Sequence, residues 1–416
     1  MVNEKEAIKK LEEYNQPHII KILDKIETEE KKNLIDQIMK LNFNQIKKLY
    51  EDTKENKNKI TGEIKPIESI DKSKLKENEI ERLENLGIKE IKDGKYAVVT
   101  MAGGQGTRLG FNGPKGTFKL NIGKNGKYIF EILADNLKEA AKNIGKESNW
   151  YIMTSKENDK TTKKFFEEHN YFGYDKNKIN FFSQSTLPLI DKDGKLLIGK
   201  DFKIREASDG NGGVYKALKE NGMIEDMKKK GIKWIFICGV DNIMVKMVDP
   251  LFLGMTVEKN VPISSKSIKK NYPEEKVGVF CKRDDKPSII EYIELSEEMR
   301  YAKKENNDLI YGDANIVSHI LNINAIEKIS EEKLDYHLAV KKNAFIDENL
   351  KEVIPQEPNS YKFEAFIFDG FKFLDDMAIL RVKRDEEFSP IKNKEGLDSP
   401  ETAKEIYCKY WNIKNK

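Results

Sequence analysis

Residues 96–120 read YAVVTMAGGQGTRLGFNGPKGTFKL, and the order of residue types in them decides the fold. Tyr96 to Met101 form a short β-branched and aromatic run of strand length. Gly103, Gly104, Gly106 and Gly110 follow at once, with Arg108 among them and Pro114-Lys115-Gly116 behind. Glycines let backbone N–H groups come close to an anion, and two cations without an intervening acid add charge of the matching sign. A tight strand-to-helix turn is the alternative, but four glycines and two cations favour a phosphate cradle. A dinucleotide fingerprint needs G-x-G-x-x-G, and Leu109 stands where the third glycine belongs. A Walker A loop needs its lysine before Ser or Thr, whereas Lys115 lies between Pro114 and Gly116.

Outward from this stretch, short apolar runs alternate with helical segments. Strands are expected at 96–101, 150–154, 179–184 and 234–240, with helices near 127–144, 157–169, 210–230 and 249–259. This pitch predicts an α/β fold, a mostly parallel sheet flanked by helices, with the glycine loop at the carboxyl end of a strand where such sheets bind ligands. Residues 277–281 and 288–292 read as an antiparallel pair joined by a turn over Arg283–Pro287, as a second layer or insertion. Before the sheet, apolar residues at helical spacing over 4–56 predict a helical region, 57–72 a linker or extended arm, and 73–90 a short helix. The expected organisation is a helical N-terminal region and linker (1–92), a catalytic domain (93–385) and a short C-terminal segment (386–416).

Among 416 residues, 74 basic and 71 acidic side chains nearly cancel, so no large positive field is available to hold nucleic acid. Cys238, Cys281 and Cys408 are odd in number and far apart, which fits reduced thiols in a cytoplasm. No signal peptide or apolar membrane span is expected, and no protein partner is evident.

The loop and six downstream blocks together resemble the UDP-N-acetylhexosamine pyrophosphorylases, the eukaryotic-type UDP-sugar pyrophosphorylase family. Ala102–Gly110 with Pro114-Lys115-Gly116 carries the resemblance first. It continues through Trp150–Ser155, Phe181–Gln184, Asp209–Gly213, Val240-Asp241-Asn242, Gly312–Ile316 and Glu387–Asn393, in the family's order. The resemblance implies a Rossmann-like nucleotidyltransferase of glycosyltransferase-A-like type that joins UTP to a hexosamine 1-phosphate, giving UDP-N-acetylglucosamine and pyrophosphate with Mg²⁺. It implies that Arg108, Lys115 and Lys392 act on the phosphates. Met101, Ala102, Gly103, Gly104, Gln184, Asp209 and Gly210 would bind the nucleotide; Asn211, Gly278, Glu291, Asn315, Phe366 and Phe368 would surround the sugar. Asp241, at the end of a strand, would hold the metal; Asp249 before Pro250 fits a helix N-cap better.

Some alternatives stay open on sequence. Ala207-Ser208 replace a proline that is common before the family's aspartate. Phe366 and Phe368 alternate as core strand residues do, and Glu291 and Asn315 could satisfy one another. The family's longer members continue for a further domain, whereas only 24 residues follow Lys392. A sugar phosphate is already an ionised nucleophile, so His18, His169, His319 and His337 are assigned structural roles. Rival functions are a glucose 1-phosphate or broad-specificity pyrophosphorylase, a catalytically silent nucleotide-sugar binder, and an RNA-binding protein using the N-terminal helices, which the near-zero charge disfavours.

Overall fold

Strands covered on both faces need unbroken apolar runs, and Tyr96–Met101 is buried at every position in the computed structural model, which describes residues 2–54 and 62–413. That strand lies within a sheet of eleven. In chain order these are β1 (Ile64–Pro66), β2 (Ile70–Asp71), β3 (Tyr96–Met101), β4 (Asn149–Thr154), β5 (Ile179–Ser183) and β6 (Trp234–Gly239). There follow β7 (Ile263–Lys269), β8 (Val279–Arg283), β9 (Lys286–Ile290), β10 (Asp313–Asn322) and β11 (Met377–Val382). The main path runs β2, β11, β7, β10, β6, β3, β4, β5. β6, β3, β4 and β5 are parallel neighbours, β10 runs against β6 and β7, and β7, β11 and β2 are again parallel. The expected mixed, mostly parallel sheet is therefore present.

The chain forms two compact units. The first draws on residues 2–54, 185–212 and 334–366, so contacts do not follow sequence order. Its helices α1 (Val2–Glu13), α2 (Pro17–Leu23), α3 (Thr28–Lys40) and α4 (Phe43–Lys54) put Leu11, Ile22, Leu34 and Ile38 into one core with Ile190, Ile198, Ile204 and Phe363. The buried Gln16 side chain ties the segments: Nε2 donates to Tyr14 O and Gly194 O, and Oε1 accepts the Leu196 N–H at 2.9 Å.

The second unit holds the sheet and the helices that cover it. Among them are α5 (Glu77–Lys92), α6 (Ile129–Ile144), α7 (Asp159–Glu168), α8 (Val214–Glu220), α9 (Met223–Lys229) and α10 (Pro250–Lys259). The helix expected over 210–230 is two, because Gly222 at φ 69° breaks it. Asp249 caps α10 as expected, accepting the Phe252 N–H, with Pro250 at the first helical position. The antiparallel pair differs from expectation in two ways. Its turn is only Asp284-Asp285, both at positive φ (52° and 62°), which matches strand twist and leaves Arg283 and Lys286 in the ladder. It is also no separate layer, since β8 joins the main sheet through Val279 and Ala314. The arm expected at 57–72 adds β1 to β8 and β2 to β11; its residues 57–61, and 55–56 of the helical region before it, lie outside the described residues.

α5 and α10 cross backbone to backbone. A Cβ on Gly87 would lie 1.9 Å from Pro250 O, and one on Gly254 would lie 1.8 Å from Leu83 O. No side chain is available to move aside, so the helices must separate to admit a methyl group. Gly87→Ala should therefore destabilise the protein by about 1–3 kcal/mol, read as a lower urea midpoint. An unchanged midpoint would show that the crossing is looser than these distances.

Candidate active site

The parallel strands β3, β4, β5 and β6 end in register, Gly239 beside Met101 and Thr154 beside Ser183. Their carboxyl ends share one edge of the sheet, where such folds bind ligands. Three of the expected segments leave that edge: the glycine loop after β3, Gln184 after β5 and Asp241 after β6.

The loop is closed by its own backbone. Lys115 N–H donates to Gly104 O at 3.1 Å, and Gly106 N–H to Gly113 O at 2.9 Å. Gly110, at φ 69°, ends a 3₁₀ turn over Thr107–Leu109 that presents Arg108 to solvent. The amides of Gly103 and Gly104 donate to no protein acceptor among the described residues, so they are available to an anion. Met101 and Ala102 are buried beneath them. Asn158, which sequence reasoning missed, fixes the loop's start. It is fully buried, its Nδ2 donates to Ala102 O at 3.0 Å, and its Oδ1 accepts the Ser155 N–H at 2.8 Å. In sequence it is one more polar residue before a helix, without a signal of its own.

Gln184 is buried, and its amide lies directly over Gly103, where a Cβ would come 2.3 Å from Nε2. Its own N–H is used by Thr154 O, so the backbone holds the side chain at the strand end. A primary amide so placed can offer both a donor and an acceptor to the edge of a pyrimidine.

The C-terminal arm is attached to the backbone beside Asp241, with Lys392 Nζ lying 3.9 Å from Asp398 Oδ2. Asn242 is the clip: its Nδ2 donates to Glu387 O at 2.8 Å and its Oδ1 accepts the Ser389 N–H at 2.9 Å. Ile391 N–H then donates to Asp241 O at 2.9 Å, and Ile391 O accepts Lys115 Nζ at 3.3 Å. Lys392 follows directly, its backbone N–H held by Asp398 O at 2.7 Å. Lys115, Asp241 and Lys392, which lie up to hundreds of residues apart in sequence, are thereby brought to one place. The Asp241 carboxylate folds back over its strand, so that a Cβ on Gly239 would stand 2.6 Å from Oδ1.

Among the described residues no group of three His, Cys, Asp or Glu could hold a metal by itself. Mg²⁺ commonly takes one or two carboxylates and completes its shell with substrate phosphate and water. A single carboxylate beside a phosphate-facing loop fits that ion, and Asp241 is the residue that would hold it.

Gly278, Glu291 and Asn315 also come together. A Cβ on Gly278 would stand 2.8 Å from Glu291 Oε1, and Asn315 N–H donates to Gly278 O at 2.9 Å. Asn315 begins a bulge in which Ile316–Ser318 of β10 oppose Lys266 alone in β7. Val317 there sits at φ 54°, and Asn315 Oδ1 accepts its N–H at 2.9 Å. Left-handed backbone at a β-branched residue costs on the order of 1–3 kcal/mol and clusters at functional sites.

Asp209, Gly210, Asn211 and Phe366 belong to the first unit. Gly210, at φ 92°, and Gly212 permit contact with Ala365 and Phe366: Asp209 O accepts the Ala365 N–H at 2.7 Å, and Gly212 N–H donates to Ala365 O at 2.9 Å. The Gly212 amide is therefore already used. Phe366 and Phe368 are not alternating strand residues, because the strand ends at Glu364 and Phe368 lies in the 3₁₀ helix Ile367–Phe373 of the second unit. Phe366 instead stacks on His337 at 4.6 Å between centroids.

No histidine is poised for proton transfer at the strand ends. His319 is buried in the sheet beside Ser265 Oγ at 2.7 Å, and burial pushes its pKa down to about 3, so it stays neutral. His169 packs among Tyr128, Phe165 and Phe172.

Residues 40–398 match the family model described as UTP–glucose-1-phosphate uridylyltransferase. The chain is 35% identical over 419 residues to UDP-N-acetylglucosamine diphosphorylase 2 of Arabidopsis thaliana, covering 95% of this chain and 82% of that protein. It is 39% identical over 372 residues to UDP-N-acetylglucosamine pyrophosphorylase of Saccharomyces cerevisiae, covering 85% and 77%. The crystal structure of uridine diphosphate N-acetylglucosamine pyrophosphorylase from Trypanosoma brucei, in complex with an inhibitor, superposes with a TM-score of 0.82 at 29% identity, covering 98% and 84%.

The Gly103–Gln184 contact gives a direct test. Gly103→Ala should displace the Gln184 amide and lower affinity for UTP by about tenfold, measured by calorimetry, with little change in unfolding midpoint. Unaltered affinity would remove Gln184 from the nucleotide site.

Proposed function

The chain belongs to the eukaryotic-type UDP-N-acetylhexosamine pyrophosphorylase family, and from that premise we propose that it makes UDP-N-acetylglucosamine and pyrophosphate from UTP and N-acetylglucosamine 1-phosphate. Formation of a UDP-sugar from UTP and a hexose or hexosamine 1-phosphate is the chemistry of the family. The observation that carries the catalytic reading is the meeting of Lys115, Asp241 and Lys392 through the Ile391 backbone.

An oxygen of the sugar phosphate attacks the α-phosphorus of UTP, a P–O bond forms, and the bond to the β-phosphate oxygen breaks as pyrophosphate leaves. The nucleophile is already ionised, so alignment and charge stabilisation supply the catalysis. In this reading Gly103 and Gly104 amides and Gln184 orient the uridine. Arg108 and Lys115 balance the triphosphate, and Lys392 approaches the phosphates from the arm. Gly278, Glu291, Asn315 and Phe368, all of the second unit, would serve the sugar in the same scheme. Mg²⁺, held by Asp241, would neutralise phosphate charge. The cytoplasm is the compartment we assign to the reaction, in keeping with three buried free thiols.

A second reading, preference for glucose 1-phosphate, takes its support from the wording of the family model. The Arabidopsis and yeast relatives, at 35% and 39% identity, favour the N-acetylated sugar. Discrimination between such sugars rests on a few contacts of about 1–3 kcal/mol each.

Pyrophosphate release with UTP and each of the N-acetylglucosamine, N-acetylgalactosamine and glucose 1-phosphates should give the highest kcat/KM for N-acetylglucosamine 1-phosphate. A higher value for glucose 1-phosphate would overturn the assignment. Lys115→Ala should lower turnover by about 10²–10³-fold, the scale of one lost charge-stabilising donor. UTP binding without turnover in the unmutated protein would instead identify a silent nucleotide-sugar binder.

A further inference from the structure

Lys266 is a lysine inside the sheet with only 1% of its surface exposed. It stands opposite the β10 bulge, where three residues face one. Its Nζ bonds Asp249 Oδ2 at 2.6 Å and also Glu387 Oε2. Asp249 is fixed by its second task, capping α10 through the Phe252 N–H. Glu387 is the last residue of the short helix Arg384–Glu387, and its other oxygen faces Lys246 at 3.7 Å and Lys72 at 4.0 Å. Burial opposes the charge on Lys266, but Asp249 and Glu387 outweigh it and hold the ammonium above its ordinary pKa. Burial likewise disfavours the Asp249 carboxylate, and Lys266 and Lys72 reverse the balance to place it below the usual range. The lysine thus bridges two carboxylates as a permanent cation.

This bridge is connected to the C-terminal arm through Glu387. Glu387 is followed by Phe388, Ser389, Pro390, Ile391 and Lys392, and its own carbonyl is the first point gripped by Asn242. From there the chain is attached residue by residue: Ser389 N–H to Asn242, Ile391 N–H to Asp241 O, and Ile391 O to Lys115 Nζ. We infer that Lys266 is a positioning residue, which anchors Glu387 and thereby latches the 388–392 arm to the strand end that carries Asp241. Its effect on catalysis passes through Lys392. The catalytic part rests on the pyrophosphorylase reading above, whereas the latch itself is a statement about the fold. An apolar side chain would fill the same space, so burial alone does not explain a lysine here.

The test compares Lys266→Met with the triple variant Lys266→Met/Asp249→Asn/Glu387→Gln, in which no charge is left buried alone. Hydrogen exchange of peptides covering 384–392 and 96–101 reads the latch without reference to activity. Faster exchange at 384–392 with 96–101 unchanged supports it; equal exchange in both peptides, or loosening of both together, overturns it. With UTP and sugar 1-phosphate, kcat should fall by about tenfold or more while the KM for UTP stays within about twofold, because Gln184 and the glycine loop are held separately. In a Lys392→Ala background the same substitution should cost no more than about twofold further, since both changes would act through one element. Additive losses would overturn the positioning role. An unmutated protein that is inactive with every sugar phosphate would refute the pyrophosphorylase reading, and the exchange comparison would still decide the latch.

Discussion

The Asn242 side chain grips the arm on both sides of Phe388, taking the Glu387 carbonyl and the Ser389 amide at once. The attachment of the arm at this edge of the sheet depends on this. Without it, Ile391 has no fixed place beside Asp241, Lys115 loses its carbonyl partner, and Lys392 hangs on an exposed segment. The residue is buried, so each of its bonds forms where water cannot substitute for it. A parallel sheet can gather ligand groups only from the loops at its own edge; here one amide extends that catchment to a segment nearly 150 residues further on.

Local signals made much of this legible. The apolar run and glycines of 96–110 placed a strand and the loop that follows it correctly, and the alternation after it gave the parallel strands β3 to β6. Asp249 as a helix cap was legible because capping is a neighbour-to-neighbour interaction. Other features depend on partners far away. Lys266 in Ser264-Ser265-Lys266-Ser267 looks like an ordinary surface position until β10 bulges opposite it. Asn158 acquires a role only when the turn after β3 comes within hydrogen-bonding distance. The Asp284-Asp285 turn was blurred by Lys286 and Pro287, which resemble loop residues but occupy an edge strand, where proline's missing N–H is tolerated.

The N-terminal helices show a different limit. Hydrophobic periodicity tells which face of a helix will be covered, not by what. Leu11, Leu23, Leu34 and Ile38 were visible as an apolar face, but their cover comes from residues 187–204 and from Ile346 and Phe363. Those segments carry short, irregular pairings whose meaning appears only once they share a core.

The self-closed glycine loop has one more consequence. Because Gly104 and Lys115 are joined by the loop's own backbone, and Gly106 and Gly113 by another such bond, its conformation does not wait for a nucleotide. A flexible receptor would surrender chain entropy at each encounter, which weakens binding by the cost of ordering. A prefolded receptor surrendered that entropy when the polypeptide first collapsed. A ligand that docks on this loop meets a finished surface, and the conformational search belongs to the folding reaction.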